Sequence, residues 1–166
     1  MSMKNAISLS SVVGGLALWC LAGSAIAQVP QYGTNINHEQ ARKTVAAAIA
    51  EARKQNLPMA IAVVDNSGML VAFERMDNTQ TASTAISQDK AASAAMYRRP
   101  TKVFQDVLAA GGVGMRVLTL RGANAVEGGL PLIIDGKIVG GLGVSGGTSE
   151  QDGVIAKAGT DGLAAK

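Results

Sequence analysis

The sequence predicts a single α+β domain, an antiparallel β-sheet with helices packed against it. Three observations carry that expectation. Two apolar hairpins each close on a glycine-containing turn, helical periodicity precedes, separates and follows them, and no regular strand–helix–strand alternation of the kind that builds a parallel sheet is present.

The elements follow in chain order. Val29–Asn35 is polar, contains Pro30 and Gly33, and reads as a flexible lead-in. Asn37 stands three residues before Gln40, the spacing of a capping box, and Ala41, Val45, Ala48, Ile49 and Ala52 recur at helical intervals, so a helix is expected at about His38–Gln55. Beyond Asn56-Leu57-Pro58, the β-rich runs Met59–Asp65 and Met69–Arg75 flank Asn66-Ser67-Gly68 and form the first hairpin. Ala82–Tyr97 is rich in alanine and poor in breakers, which predicts a helix. Pro100 ends it and opens another, Thr101–Ala110, which Gly111-Gly112 terminates. Met115–Leu120 reads as a short strand. Leu130–Val144 is the second hairpin, turning at Asp135-Gly136, two residues that accept the positive φ a type I′ turn needs. A last helix is expected from about Ser149 to Ala165.

The first 27 residues differ from the rest. Lys4 precedes the small, apolar stretch Ala6–Ala22, and Ala25-Ile26-Ala27 has the small-x-small form of a signal peptidase site. The expectation is a secretory signal peptide over residues 1–27, a mature domain over residues 28–166, and a periplasmic or secreted location with no stable membrane insertion after cleavage. A retained transmembrane anchor is disfavoured because the apolar core is short and a cleavage site follows it. A lipoprotein is disfavoured because bulky Trp19 precedes Cys20.

Cleavage would remove the only Cys and the only Trp, leaving a mature chain without disulfides, thiolate metal sites or a cysteine nucleophile. Loss of Lys4 lowers the formal net charge of +3 by one, and the basic residues are dispersed except at Arg98-Arg99. That field is too weak to argue for nucleic acid.

Few side chains carry candidate chemistry. His38 is the only histidine, and a place in the first turn of a helix disfavours the imidazolium and keeps a neutral ring available as a metal or haem ligand. A solvated first-turn residue is the plainer alternative. Arg98-Arg99 before Pro100 suits a propionate or other carboxylate, held bidentately, or else complements the dipole of a helix end. Ser145 fits G-x-S-x-G, but no histidine follows it, which argues against a hydrolase elbow. Asp65, Glu74, Arg75 and Asp77 read as a solvated face, whereas Asp89-Lys90 among small residues predicts a structural ion pair with one member semi-buried.

The glycine-rich run Gly140–Asp152 has no P-loop pattern and no lysine, and Glu150 and Asp152 place negative charge where a phosphate would sit. Gly140, Gly141 and Gly143 instead permit close approach of another backbone or subunit to a strand. Gly146-Gly147 turns the chain, and Thr148 caps the last helix with Gln151 in capping-box position.

Ile61–Gly68, Glu74-Arg75-Met76-Asp77, Gln88-Asp89-Lys90-Ala91-Ala92, Arg99-Pro100-Thr101, Gly128-Gly129-Leu130-Pro131-Leu132 and Gly140–Asp152 resemble, in order, the signatures of the GlcG/HbpS-like haem-binding, haem-degrading domain family. The resemblance covers nearly the whole mature chain. It implies a profilin-like α+β fold and small homo-oligomers, and for some exported members haem binding, haem degradation and iron sequestration. Haem is then the expected cofactor, with His38 the first candidate for its axial, metal-binding ligand. Arg98 or Arg99 would meet the propionates, and Met96 and Met115 are further candidates for iron ligands. One departure is Asn78, where the family often has glycine; asparagine tolerates the same left-handed turn. Two other readings remain: a small enzyme acting on an organic-acid metabolite or on haem, suggested by polar residues at Glu127-Gly128-Gly129 and Ser145–Asp152, and a non-catalytic periplasmic sensor or accessory protein.

Overall fold

A computed structural model describes residues 29–164, so the expected leader, residues 1–27, lies outside the described residues. The elements are α1 (His38–Lys54), β1 (Ala60–Val64), β2 (Leu70–Arg75), α2 (Ser83–Tyr97), α3 (Thr101–Ala109), a 3₁₀ segment (Gly112–Thr119), β3 (Gly129–Ile134), β4 (Lys137–Ser145) and α4 (Ser149–Ala164).

The two hairpins lie side by side in one antiparallel sheet of order β2-β1-β4-β3. Every residue of β1 is buried, because helices cover both of its faces. Ile61 and Val63 join the main core with Val45, Ala48 and Ile49 of α1 and Ile155 and Ala156 of α4. Ala62 and Val64, pointing the other way, pack with Ala91 and Ala95 of α2. Strand alternation therefore divides the molecule into α1 and α4 on one side of the sheet and α2 on the other.

Local chemistry explains the boundaries. The Gln40 amide donates to Asn37 Oδ1 at 2.8 Å and the Asn37 amide donates to Gln40 Oε1 at 3.1 Å, so the expected capping box starts α1. Asp135 and Gly136 have φ of 50° and 73°, the left-handed pair of a type I′ turn. The Ala- and Ser-rich α2 lies with its backbone almost on β4. A side chain at Gly141 would meet the Ala91 carbonyl, and one at Gly143 the Ser87 carbonyl, so these glycines admit a helix rather than a ligand.

Two expectations are corrected. Met115–Leu120 is not a strand but the 3₁₀ segment and its end. Gly111 and Gly112 turn the chain at φ of 68° and 53°, Gly114 then lies on the Val107 backbone of α3, and among the described residues the segment joins no strand ladder. Local bonds replace a ladder, with the Leu120 amide donating to the Val117 carbonyl and Thr119 Oγ1 to the Arg116 carbonyl.

Nor is Val29–Asn35 a loose lead-in. β1 ends at Val64, opposite Gly141, which leaves the first residues of β4 unpaired on that side. The segment takes their place: the Ile138 amide donates to the Gln31 carbonyl at 2.8 Å and the Gly33 amide to the Ile138 carbonyl at 2.7 Å. Asn66 Nδ2 adds a bond to the Gly33 carbonyl at 2.9 Å. Backbone groups left open at a sheet edge need partners, and this segment supplies them.

Candidate functional site

α2 and the first hairpin bring two of the sequence-predicted residues, Met96 and Arg98, to one place. The β1–β2 register sets Phe73 beside Ala62 and Leu70 beside Val64, so both side chains lie on the α2 face of the sheet. α2 packs mainly over β1, β4 and β3, and reaches the first hairpin chiefly at its turn, where Ala92 and Met96 stand against Gly68. Leu70 is 50% exposed, Phe73 36% and Met96 51%, an apolar shelf between the edge strand and the last turn of the helix. The Met96 sulfur closes its end against the hairpin turn, where a Cβ added to Gly68 would stand 3.1 Å from Sδ.

Arg98 ends α2 in the left-handed conformation, φ 54° and ψ 38°, where glycine is the usual residue. Its guanidinium carbon lies 5.4 Å from the centroid of the Tyr32 ring. The Tyr32 hydroxyl donates to the carbonyls of Ala95 at 3.1 Å and Met96 at 2.9 Å. Tyr32, Met96 and Arg98 thus form one connected cluster at the helix end.

The other candidates are elsewhere. Arg99 turns away from Arg98: its Nε donates to the Tyr97 carbonyl at 3.1 Å, and its guanidinium carbon lies 5.7 Å from the Phe104 ring centroid. His38 is exposed on the α1 side of the sheet, in a groove of about 430 Å³ lined also by Arg42, Val71 and Glu74 and, from the edge strand, by Phe73. Met115 is half exposed on the 3₁₀ segment. Among the described residues, no group of three or more His, Cys, Asp or Glu side chains is placed to hold a metal ion.

The polar segments Glu127–Gly129 and Ser145–Asp152 converge instead on a buried ion pair. Lys90 Nζ donates to Asp152 Oδ2 at 2.6 Å and to the Val144 carbonyl at 3.0 Å, and Asp152 Oδ1 accepts the Gly147 amide at 3.0 Å. Lys90 is fully buried and Asp152 almost so. Burial raises the Asp152 carboxyl above its ordinary value, while the Lys90 ammonium and the Gly147 and Gly146 amides pull it the other way.

Two sequence expectations change here. The semi-buried ion pair expected at Asp89-Lys90 exists, but Lys90 reaches across the fold to Asp152 while Asp89 stays exposed. Asp152 is not a solvent-facing acid in the corner either; it turns inward and occupies the anion position at the start of α4. Thr148 and Gln151 exchange the capping-box bonds expected of them. Ser145 is buried, its Oγ donating to Ser83 Oγ at 3.0 Å, which leaves it no approach as a nucleophile.

Two adjoining grooves, about 620 and 550 Å³, share Asn37, Gln40, Ile134 and Asp135 between the start of α1 and the β3–β4 turn. The α1 capping box occupies the amides there, and Glu39, Lys43, Asp135 and Lys137 mix both signs of charge. None of the five candidate residues lines either groove.

Residues 36–161 match the family model described as haem degrading protein HbpS-like. The chain belongs to the HbpS-like family. It is 39% identical over 110 residues to protein GlcG of Escherichia coli K12, spanning 66% of this chain and 81% of GlcG. Among solved structures, this HbpS-like domain resembles Klebsiella pneumoniae protein ORFY, with TM-score 0.74 and 29% identity over 86% of this chain and 99% of that one. It also resembles the PduOC–haem complex, with TM-score 0.70 and 26% identity over 78% and 95% of the two chains. The HbpS-like match includes Met96, Arg98 and the Lys90–Asp152 pair and begins four residues after Tyr32. Sequence reading missed Tyr32 for lack of a motif; the available signal for the shelf was Leu70-Val71-Ala72-Phe73, apolar on both faces of an edge strand.

Proposed function

We propose that this chain is an exported haem-binding protein that holds the tetrapyrrole on the shelf at the end of α2. The observation that carries the reading is that Met96 and Arg98 stand at the end of α2, on the side of the sheet where Leu70 and Phe73 are exposed, in a fold shared with the PduOC–haem complex. Haem is flat and apolar on both faces, carries two carboxylates on one edge, and has an iron that accepts thioether or imidazole donors. The shelf offers apolar contact, a thioether and a guanidinium, so these residues fit the group. Met96 is the preferred iron ligand in this reading because it shares a surface with Arg98, whereas His38 does not.

Export is supported by the leader-like Met1–Ala27, which implies a periplasmic or secreted location. Haem degradation and iron sequestration extend the same reading, and ring-opened product formed with peroxide or ascorbate is the assay for the first. A homo-oligomer is supported by the lobe of α3 and the 3₁₀ segment, where Val113 is 78% and Leu118 65% exposed. Sedimentation of Leu118→Asp beside wild type tests that part.

The test of ligand binding is titration of the purified mature chain with haem, followed in the Soret region. Saturation near one haem per chain, with a spectrum unlike free haem, supports the reading. A spectrum that stays that of free haem throughout overturns it.

A further inference from the structure

We propose that Tyr32 is a positioning residue that allows Arg98 to hold a carboxylate at the end of α2, a proposal that rests on the haem reading above. The end of a helix is an unfavourable place for an anion. The final carbonyls lack intrahelical partners and together carry about half a negative charge. Arg98 sits in the midst of them.

Tyr32 changes that environment in two ways. Its hydroxyl shares a proton between the carbonyls of Ala95 and Met96, blunting the negative end of the helix where a ligand carboxylate would approach. Its ring lies 5.4 Å from the Arg98 guanidinium carbon, a cation–π contact that holds the charged end of the side chain over the ring. Among the described residues, no carbonyl or carboxylate accepts a hydrogen bond from that guanidinium, so its donors remain for a ligand. Arg99 differs, since Tyr97 and Phe104 already engage it.

The sheet, not chance, places the tyrosine. The Ile138 amide donating to the Gln31 carbonyl, and the Gly33 amide donating to the Ile138 carbonyl, hold the backbone on either side of Tyr32 against β4. The ligand class that suits the arrangement is an apolar, planar molecule with a peripheral carboxylate, the propionate edge of haem being the case at hand. Arg98 contacts the carboxylate, and Tyr32 acts through Arg98.

The experiment compares the affinity of haem and of its dimethyl ester for wild type, Tyr32→Phe and Arg98→Gln, with thermal unfolding of each variant as the check on folding. Wild type is expected to favour the diacid, and Arg98→Gln to lose that preference. Tyr32→Phe keeps the ring and is expected to lower diacid affinity about five- to tenfold, the loss of one hydrogen-bonding hydroxyl, with the diester unaffected. Equal loss for both ligands means a merely structural role and overturns the proposal, as does no loss for the diacid. If wild type binds diacid and diester equally, the haem reading stands and the role of Arg98 and Tyr32 falls. If wild type binds neither, both fall together.

Discussion

Lys90 and Asp152, 62 residues apart in sequence, meet in the interior with Nζ and Oδ2 2.6 Å apart. Around them close Gly128, where a Cβ would stand 3.0 Å from Nζ, the Val144 carbonyl and the Gly147 amide. Three of the segments by which the chain resembles its family therefore share one purpose. They fasten α2, β4 and α4 to one another.

Removing one member of this pair leaves the other charged and buried. Lys90→Met is expected to cost about 3–5 kcal/mol of folding free energy. The double variant Lys90→Met/Asp152→Leu should recover much of that loss, because an apolar pair needs no partner charge. Urea unfolding of the three proteins checks it; a single variant as stable as wild type contradicts the account.

The same pair gives a pH dependence of definite sign. Burial raises the folded-state value of Asp152 above the unfolded one, so the native protein binds more protons within that window. The contribution is fully present below the ordinary carboxylate value and is lost as pH rises through the raised one. The stability advantage of wild type over Asp152→Asn, which cannot titrate there, should shrink over that interval and level off above it. An advantage that grows with pH across the interval contradicts the sign.

Gly143→Ala pushes a methyl group into the Ser87 carbonyl of α2 and is expected to cost about 1–3 kcal/mol or more. Gly136→Ala meets no neighbour within 4 Å and is strained only by its φ of 73°, so it should cost roughly 1–2 kcal/mol. Chemical unfolding that ranks Gly136→Ala as the more damaging change would contradict the close packing of α2 on β4.

Much of the fold was legible because its signals are local. Asn37 with Gln40, Asp135-Gly136 and Thr148 with Gln151 each fix a helix start or a turn through bonds between near neighbours. What was not legible depends on distant partners. Met115–Leu120 has strand-like residues but pairs with no strand among the described residues, whereas Gln31–Gly33 has loop-like residues and finds an edge on β4. Periodicity placed Lys90 in a helix but carried no sign that its counterion lay on α4. The site was legible in the same measure: Arg98 and Met96 stood out, but only the crossing of α2 and β2 shows that they share a surface and that His38 faces the other side of the sheet.

The central claim is that haem sits on the Met96–Arg98 shelf. It is tested most directly by the ferric haem spectra of Met96→Leu and His38→Ala beside wild type. Met96→Leu preserves volume and removes the thioether, so the account predicts loss of the charge-transfer band of sulfur-ligated ferric haem in that variant and an unchanged spectrum in His38→Ala. An altered spectrum in His38→Ala with none in Met96→Leu would contradict it, moving the ligand to the α1 side of the sheet.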